Sequence, residues 1–385
     1  MKSFFLYLLN LIKGILFWLL VGCDNRIRYI LGYSPLIRLK HISNEPASVD
    51  DNIIINISER SLSFNKQETA NKTIPHLRGN WLFHPFHDHY NLAICLRSIL
   101  TIRQNLAQLG LKPSDCHLLH RPIKAVPFAP PVLSLFNYFA GHKSLGDMDG
   151  DYEIDRLVRL KISSQRFWGL WNNKENIEAC RKELLEINGI NPSPPSSKVS
   201  KILFIQRGDP LASEQRTHRK VILRKIANEA ELIERLDNQF TDIKLEAIRL
   251  ERMTLVQQLN QINSADILIG MHGAGLIYSM FTKPNSGLIE IFPCHFAFPH
   301  TFYTFYVIAA ARLLHYDRFS QMFPWRDTAS EAFNQLKNTS SPNYMRSTDP
   351  YYYTGIFGDY SYINPHAIIK RTTKLIKRIN SSANS

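Results

Sequence analysis

Cysteine is scarce. Five in a chain of 385 residues are too few for a disulfide framework, and none falls at zinc-finger spacing. Cys23 borders an apolar N-terminal segment, and Cys95, Cys116, Cys180 and Cys294 allow one or two bridges in an oxidising compartment, with no pairing fixed. No internal repeat is present, which excludes a repeat architecture. Acids are outnumbered: 33 Asp and Glu against 46 Lys and Arg leave a net charge of +13. The basic residues are dispersed and no basic-aromatic module gathers them, so nucleic acid is not the expected partner. An anionic small molecule or a lipid headgroup surface accounts for the sign equally well. Charged residues at 21% and hydrophobic residues at 44% exclude a disordered chain. The length suffices for two domains, each with its own core.

Residues 4–21 form an apolar segment interrupted by Asn10, Lys13 and Gly14. As a helix rising ~1.5 Å per residue it reaches roughly 27 Å, about one bilayer core. Lys13 near its middle costs about 2.5–3.5 kcal/mol. The expectation is a signal anchor over residues 1–23, and a cleaved signal peptide or an interfacial helix is the alternative. Leu20-Val21-Gly22-Cys23 also resembles a bacterial lipoprotein cleavage box. Lys2, Arg26 and Arg28 put positive charge on both flanks and leave the orientation open. Asn56, Asn71, Asn338 and Asn380 head Asn-x-Ser/Thr sequons, which suit a lumenal chain.

Residues 24–50 read as a stem, 52–57 as a first strand and 60–80 as polar loop. Trp81-Leu82-Phe83-His84-Pro85-Phe86-His87-Asp88 leads into a helical stripe of Leu92, Cys95, Ile99, Ile102, Leu106 and Leu109, closed by Gly110 and Pro113. Pro85 suits a first helical position, which puts His84, His87, Asp88 and Asn91 around the helix mouth. Asp147 and Asp149 form an Asp-x-Asp pair, either an exposed acidic loop or a manganese site. The proline- and serine-rich stretch at 191–197 reads as a linker between lobes at 51–190 and 198–330. Residues 331–385 form a tail, basic and helical over 364–379.

Beyond the linker, strands at 199–205, 243–248, 267–269 and 288–292 alternate with helices at 228–240 and 255–262. That alternation implies a parallel, doubly wound sheet. Asn228 is the expected N-cap of the first of these helices. The pattern centres on Asp266-Ile267-Leu268-Ile269-Gly270-Met271-His272-Gly273-Ala274-Gly275-Leu276, a strand breaking into a glycine-rich turn that starts a helix. Such a turn aims free backbone N–H groups at an anion, and glycines let a phosphate approach closely. Ligands of these sheets bind outside the strand carboxyl ends, where both Arg207 and His272 lie.

Arg207, the run Arg224-Lys225-Ile226-Ala227-Asn228-Glu229, residues 264–276 around His272, and Leu288-Ile289-Glu290-Ile291-Phe292-Pro293 fall in the order seen in glycosyltransferase family 61, and the chain resembles that family over residues 198 to about 320. The block from Trp81 to Asp88, with Pro299, His300 and Tyr303, is similar to family members that extend O-mannosyl glycans. Those members also carry a C-terminal fibronectin type III domain, which is not expected in this chain.

The resemblance implies an α/β, GT-B-like enzyme of the secretory pathway. Two Rossmann-like lobes face across a cleft, behind an N-terminal membrane segment at residues 4–21. It implies an inverting transfer of N-acetylglucosamine from UDP-GlcNAc to an O-mannosyl glycan on a protein, in the endoplasmic reticulum or Golgi with the catalytic part lumenal. No cofactor is required, and manganese is the one metal to test. Arg207, Arg224, His272, Gly273, Ala274 and Gly275 are the candidate donor-binding residues. Glu290 is a candidate for the ribose hydroxyls, and Asp88, with His87 and His84 as rivals, for the base. The alternatives are another family specificity (O-GlcNAc on extracellular domains, pentosyl transfer, or surface polysaccharide synthesis) and a glycan-binding homologue without turnover.

Overall fold

The computed structural model describes residues 48–58, 61–65, 74–84, 92–120, 129–160, 174–207, 226, 228–292, 304–320 and 363–382. The apolar segment 4–21, His87, Asp88 and Arg224 lie outside them, as do Cys23, Cys294, Pro299, His300 and Tyr303. Among the described residues no helix is long and apolar enough to cross a membrane. The chain divides into two compact units, one of residues 39–192 with 253–259, the other including 193–252 and 260–385. The division after Pro192 falls within the stretch read as a linker.

The first unit contains β1 (Ser48–Ser58), β2 (Ser61–Asn65), β3 (His76–His84), α1 (Leu92–Gln108), β4 (Cys116–His120), α2 (Ala129–Leu135), β5 (Gly141–Ser144), β6 (Gly150–Arg159) and α3 (Lys174–Ile187). Its six-stranded sheet runs β2-β1-β6-β3-β4-β5. β3, β4, β5 and β6 are mutually parallel, while β1 is antiparallel to both β6 and β2. The lobe is therefore mixed, and only its β6-β3-β4-β5 side has the parallel strands of a doubly wound sheet. The loop expected over 60–80 is corrected, since β2 and the start of β3 occupy much of it. Their alternating polar and apolar residues suffice for an antiparallel edge and for a strand with a bulge, where Gly79 (φ 87°) marks the register shift between Leu77 and Asn80.

The stripe of α1 is buried at Cys95, Ile99, Ile102 and Leu106, and Gly110 closes the helix with φ 70°. Arg103 holds Glu183 of α3 through two hydrogen bonds, at 3.0 and 2.8 Å, and donates a third to Asn176 at 2.8 Å. Tyr138 donates to the same carboxylate. Cys95, Cys116 and Cys180 are buried and not in disulfides, and burial pushes Cys116 and Cys180 up to about 12. Asp147 and Asp149 are exposed, and no cluster of three potential metal ligands exists among the described residues.

The second unit contains β7 (Lys201–Ile205), α4 (Glu229–Gln239), β8 (Lys244–Ile248), β9 (Ile267–Met271), a 3₁₀ helix (Ala274–Phe281), β10 (Gly287–Phe292), α6 (Thr304–Ala311), β11 (His315–Ser320) and α7 (Pro365–Ser382), while α5 (Leu255–Ser264), between β8 and β9 in the chain, has 255–259 assigned to the first unit and 260–264 to the second. All five strands are parallel, in the order β11-β10-β9-β7-β8. Numbered within the unit this is 2-1-3-4-5, the flavodoxin-like winding, whose order reverses between its first and third strands.

One face of the sheet (Ile202, Phe204, Ile267, Ile269, Ile289, Ile291) packs against Leu232 and Leu236 of α4 and Ile368, Leu375 and Ile379 of α7. Burial on both faces explains why these strands read as unbroken apolar runs. Asp266, just before β9, is the polar anchor. It accepts from the Ser196 and Ser200 hydroxyls (2.7 and 2.9 Å), the Ser200 and Lys201 amides (both 2.9 Å) and the Lys283 ammonium (2.7 Å). Burial alone would push its carboxyl up, but Lys283 and these donors hold it below the usual carboxylate range.

Candidate functional site

Side chains alternate along a strand, and register carries that alternation across the second unit's sheet. Ile205 pairs with Gly270, and Gly270 with Glu290, which in turn pairs with Arg318. Arg207, two residues past Ile205, and His272, two past Gly270, therefore belong to the sheet face opposite the α4 and α7 core. They follow β7 and β9, the two strands that flank the point where the winding reverses. That is where doubly wound sheets open a crevice for ligands.

The two residues meet. Arg207 Nη1 donates to the His272 carbonyl at 3.2 Å, and the guanidinium lies over Gly273, where a Cβ would come within 2.5 Å of Nη1. Gly273 is therefore a requirement of close approach. Gly270 has a similar reason, because its Cβ would stand 3.0 Å from Leu276 Cδ2 and 3.3 Å from Ile205 Cβ. Its bareness lets the chain fold back over the strand. The helix expected after the turn is a 3₁₀ helix beginning at Ala274, with Gly273 at its N-cap and Gly275 in its first turn.

Glu290 is not at a strand end. It sits within β10, fully buried, and both carboxylate oxygens are taken. Oε1 pairs with His272 Nδ1 and Oε2 accepts from the Tyr316 hydroxyl at 2.6 Å. Burial, with the neighbouring Glu290 carboxylate, raises the Tyr316 phenol well above its ordinary value, so it stays protonated and donates. The geometry thus puts Glu290 behind the imidazole, a different task from contacting a ribose. The ring also stacks on Phe292 (centroids 4.8 Å, 18°) and meets Phe305 edge-on at 5.5 Å.

The histidine block is divided. Trp81 to His84 complete β3 instead of opening a helix, Pro85–Asn91 lie outside the described residues, and α1 begins at Leu92. His84 is in register with His120 at the carboxyl ends of β3 and β4. His120, buried, lies 3.2 Å from His142 (Nε2 to Nδ1) and tilts against Phe136 at 4.8 Å. Neither His120 nor Tyr316 was anticipated from the sequence. A lone carboxylate inside the apolar strand Leu288–Phe292 did signal that a buried partner must exist.

The sequence profile of the family described as Glycosyltransferase 61 matches residues 82–289, more than half of the chain. The chain belongs to glycosyltransferase family 61. The match runs from the last three residues of β3 to the first three of β10, including the His272 turn and stopping just before Glu290. Curated relatives are similar over shorter stretches. An "EGF domain-specific O-linked N-acetylglucosamine transferase" of Drosophila melanogaster is 26% identical over 180 residues, 44% of this chain and 32% of its own length. A "Protein O-linked-mannose beta-1,4-N-acetylglucosaminyltransferase 2" of Takifugu rubripes is 36% identical over 111 residues, 28% of this chain and 17% of its own. A "Beta-1,2-xylosyltransferase" of Arabidopsis thaliana is 29% identical over 120 residues, 29% of this chain and 22% of its own. The chain therefore spans a third or less of these family 61 relatives.

Proposed function

We propose that the chain is an inverting, UDP-sugar-dependent glycosyltransferase that moves N-acetylglucosamine from UDP-GlcNAc to an O-mannosyl glycan on a protein. The observation that carries the donor half is the meeting of Arg207 and His272 over Gly273 at the reversal of the parallel sheet. A guanidinium is suited to a diphosphate because its planar fork donates two parallel hydrogen bonds. The amides at the start of the 3₁₀ helix add partial positive charge at the same place. These groups neutralise a departing diphosphate without requiring a metal. On this reading Arg224 adds a further cation, and Asp88, with His87 and His84 as rivals, supplies the base for the acceptor hydroxyl. A GT-B arrangement, with the donor on the second unit and the acceptor on the first, is part of the proposal, as is residence in the endoplasmic reticulum or Golgi membrane through residues 4–21.

Two of the three kinds of relative named above carry N-acetylglucosamine in their names, which favours that sugar; the xylosyltransferase supports pentosyl transfer as the second reading. The test offers the purified chain UDP-GlcNAc, UDP-xylose and other UDP-sugars with O-mannosyl peptides and follows UDP release. The reading expects UDP-GlcNAc turnover that Arg207→Ala and His272→Ala abolish. Turnover with UDP-xylose alone transfers the assignment to the second reading. Equal donor affinity in the wild type and both variants removes the donor site altogether.

A further inference from the structure

Within that donor site, one part of the arrangement exceeds what anion binding needs. A backbone turn and an arginine already hold a diphosphate, yet the sheet also buries a carboxylate completely and spends it on one imidazole. Burying a charge without partners is costly, and among the described residues its partners are His272 Nδ1 and the Tyr316 hydroxyl. A carboxylate accepts and does not donate, so the proton between it and His272 belongs to Nδ1. In the neutral ring, Nε2 then carries no proton, and an unprotonated ring nitrogen repels a phosphate oxygen. Once the ring is protonated, Nε2 is a charge-assisted donor.

We propose that Glu290, itself held by Tyr316, is the positioning residue that locks His272 with Nδ1–H toward the sheet and makes the imidazolium the form that receives the donor's diphosphate. The pairing matches the way a carboxylate orients a histidine elsewhere in enzymes, fixing the tautomer and stabilising the charged ring. Phe292 and Phe305 pack the ring's face and edge, leaving it little freedom to rotate. Among the described residues, the charged or titratable groups near it are Arg207 on the β7 side, Glu290 on β10, and Tyr316 and Arg318 on β11. Arg207 and Arg318 carry the same sign of charge as an imidazolium, and Glu290 carries the opposite sign in direct contact with Nδ1. No proton moves to or from His272 in the step. The acceptor oxygen bonds to the anomeric carbon and gives its proton to the base, the bond from that carbon to the diphosphate breaks with its electron pair going to the leaving oxygen, and the Nε2–H and guanidinium hydrogen bonds strengthen as that charge builds.

This inference rests on the donor-site reading, and the experiment separates the two. Binding of UDP-GlcNAc and of UDP-xylose, whose diphosphates carry no group titrating near neutrality, is measured by calorimetry across pH on the full chain. Wild type, Glu290→Gln, Tyr316→Phe and His272→Ala are compared, each with a thermal melt. Wild-type affinity is expected to fall as pH rises through the imidazole's range. Glu290→Gln should move that break down by about one unit, a tenfold loss at the intermediate pH. Tyr316→Phe removes one tie on Glu290 without emptying the site, and should weaken binding several-fold while keeping a break; it is also the deciding variant if Glu290→Gln does not fold. An unchanged break in Glu290→Gln, or unchanged affinity in Tyr316→Phe, overturns the positioning role while His272→Ala still loses the donor. If His272→Ala binds like wild type, the donor-site reading itself has failed.

Discussion

A guanidinium lies where a side chain on residue 273 would be, and this makes Gly273 a sharper probe than either cation. In Gly273→Ala the new methyl would stand 2.5 Å from Arg207 Nη1, and the flexible arginine end must move. The backbone there is extended (φ 164°), so alanine brings no strain of its own. The expected result is donor affinity lowered about tenfold or more, roughly 1.4 kcal/mol, with a melting temperature close to wild type. Calorimetry and a thermal melt check this together. A large loss of stability with donor affinity kept would mean that the turn is structural. Asp266 is the opposite kind of residue, all stability. Asp266→Asn keeps its shape but leaves Lys283 without its buried partner, at a cost on the order of 3 kcal/mol. Its carboxyl titrates below the usual range in the folded chain. The stabilisation is therefore complete above the unfolded value of about 4 and is lost as pH falls from there through the folded value. Urea midpoints of wild type and Asp266→Asn should differ clearly at neutral pH and converge in acid; a gap that stays constant with pH would refute the assignment.

Between elements, the tie to follow is the one that closes α7 onto the parallel sheet. Asn228 stands at the N-cap position of α4 but makes no side-chain cap. Its amide instead bridges Ile363, donating to the carbonyl and accepting from the N–H, both at 2.9 Å. Asn228→Ala would strand two buried backbone groups, at a cost of about 2–4 kcal/mol. Hydrogen exchange in 365–382 should quicken well before exchange in β9 and β10. Equal protection loss throughout the unit would place α7 inside the same cooperative core. The helix start at residue 228 was legible, but the side chain's service to a backbone 135 residues away instead of to the cap was not, because local pattern says nothing about which distant backbone needs a donor. The same asymmetry runs through the fold. β7, β9 and β10, buried on both faces, could be found from their apolar runs, and with them the positions of Arg207 and His272. β2 and β3 were missed because a short edge strand and a strand broken by a bulge mix polar residues among their apolar ones and read as polar loop. The 3₁₀ winding after Gly273 and the pairing of Glu290 with Tyr316 depend on register between strands, which a sequence alone does not carry.

At the scale of the whole molecule the excess of 46 basic over 33 acidic residues sets a field that a single site does not. An anionic donor approaching a chain of net charge +13 is attracted before it touches Arg207, and that attraction is screened beyond about 8 Å at physiological salt. Contact interactions in a partly buried crevice are screened much less. The two contributions therefore separate by ionic strength. Raising salt from roughly 0.05 to 0.5 M should weaken UDP-sugar binding several-fold, mainly through a slower association rate, and leave binding of uncharged uridine unchanged. Arg207→Ala should bind more weakly at every salt concentration yet keep much of the slope, since the rest of the charge is untouched. Stopped-flow association rates decide it. A slope that vanishes with Arg207 would make the attraction wholly local and the net charge irrelevant to donor capture.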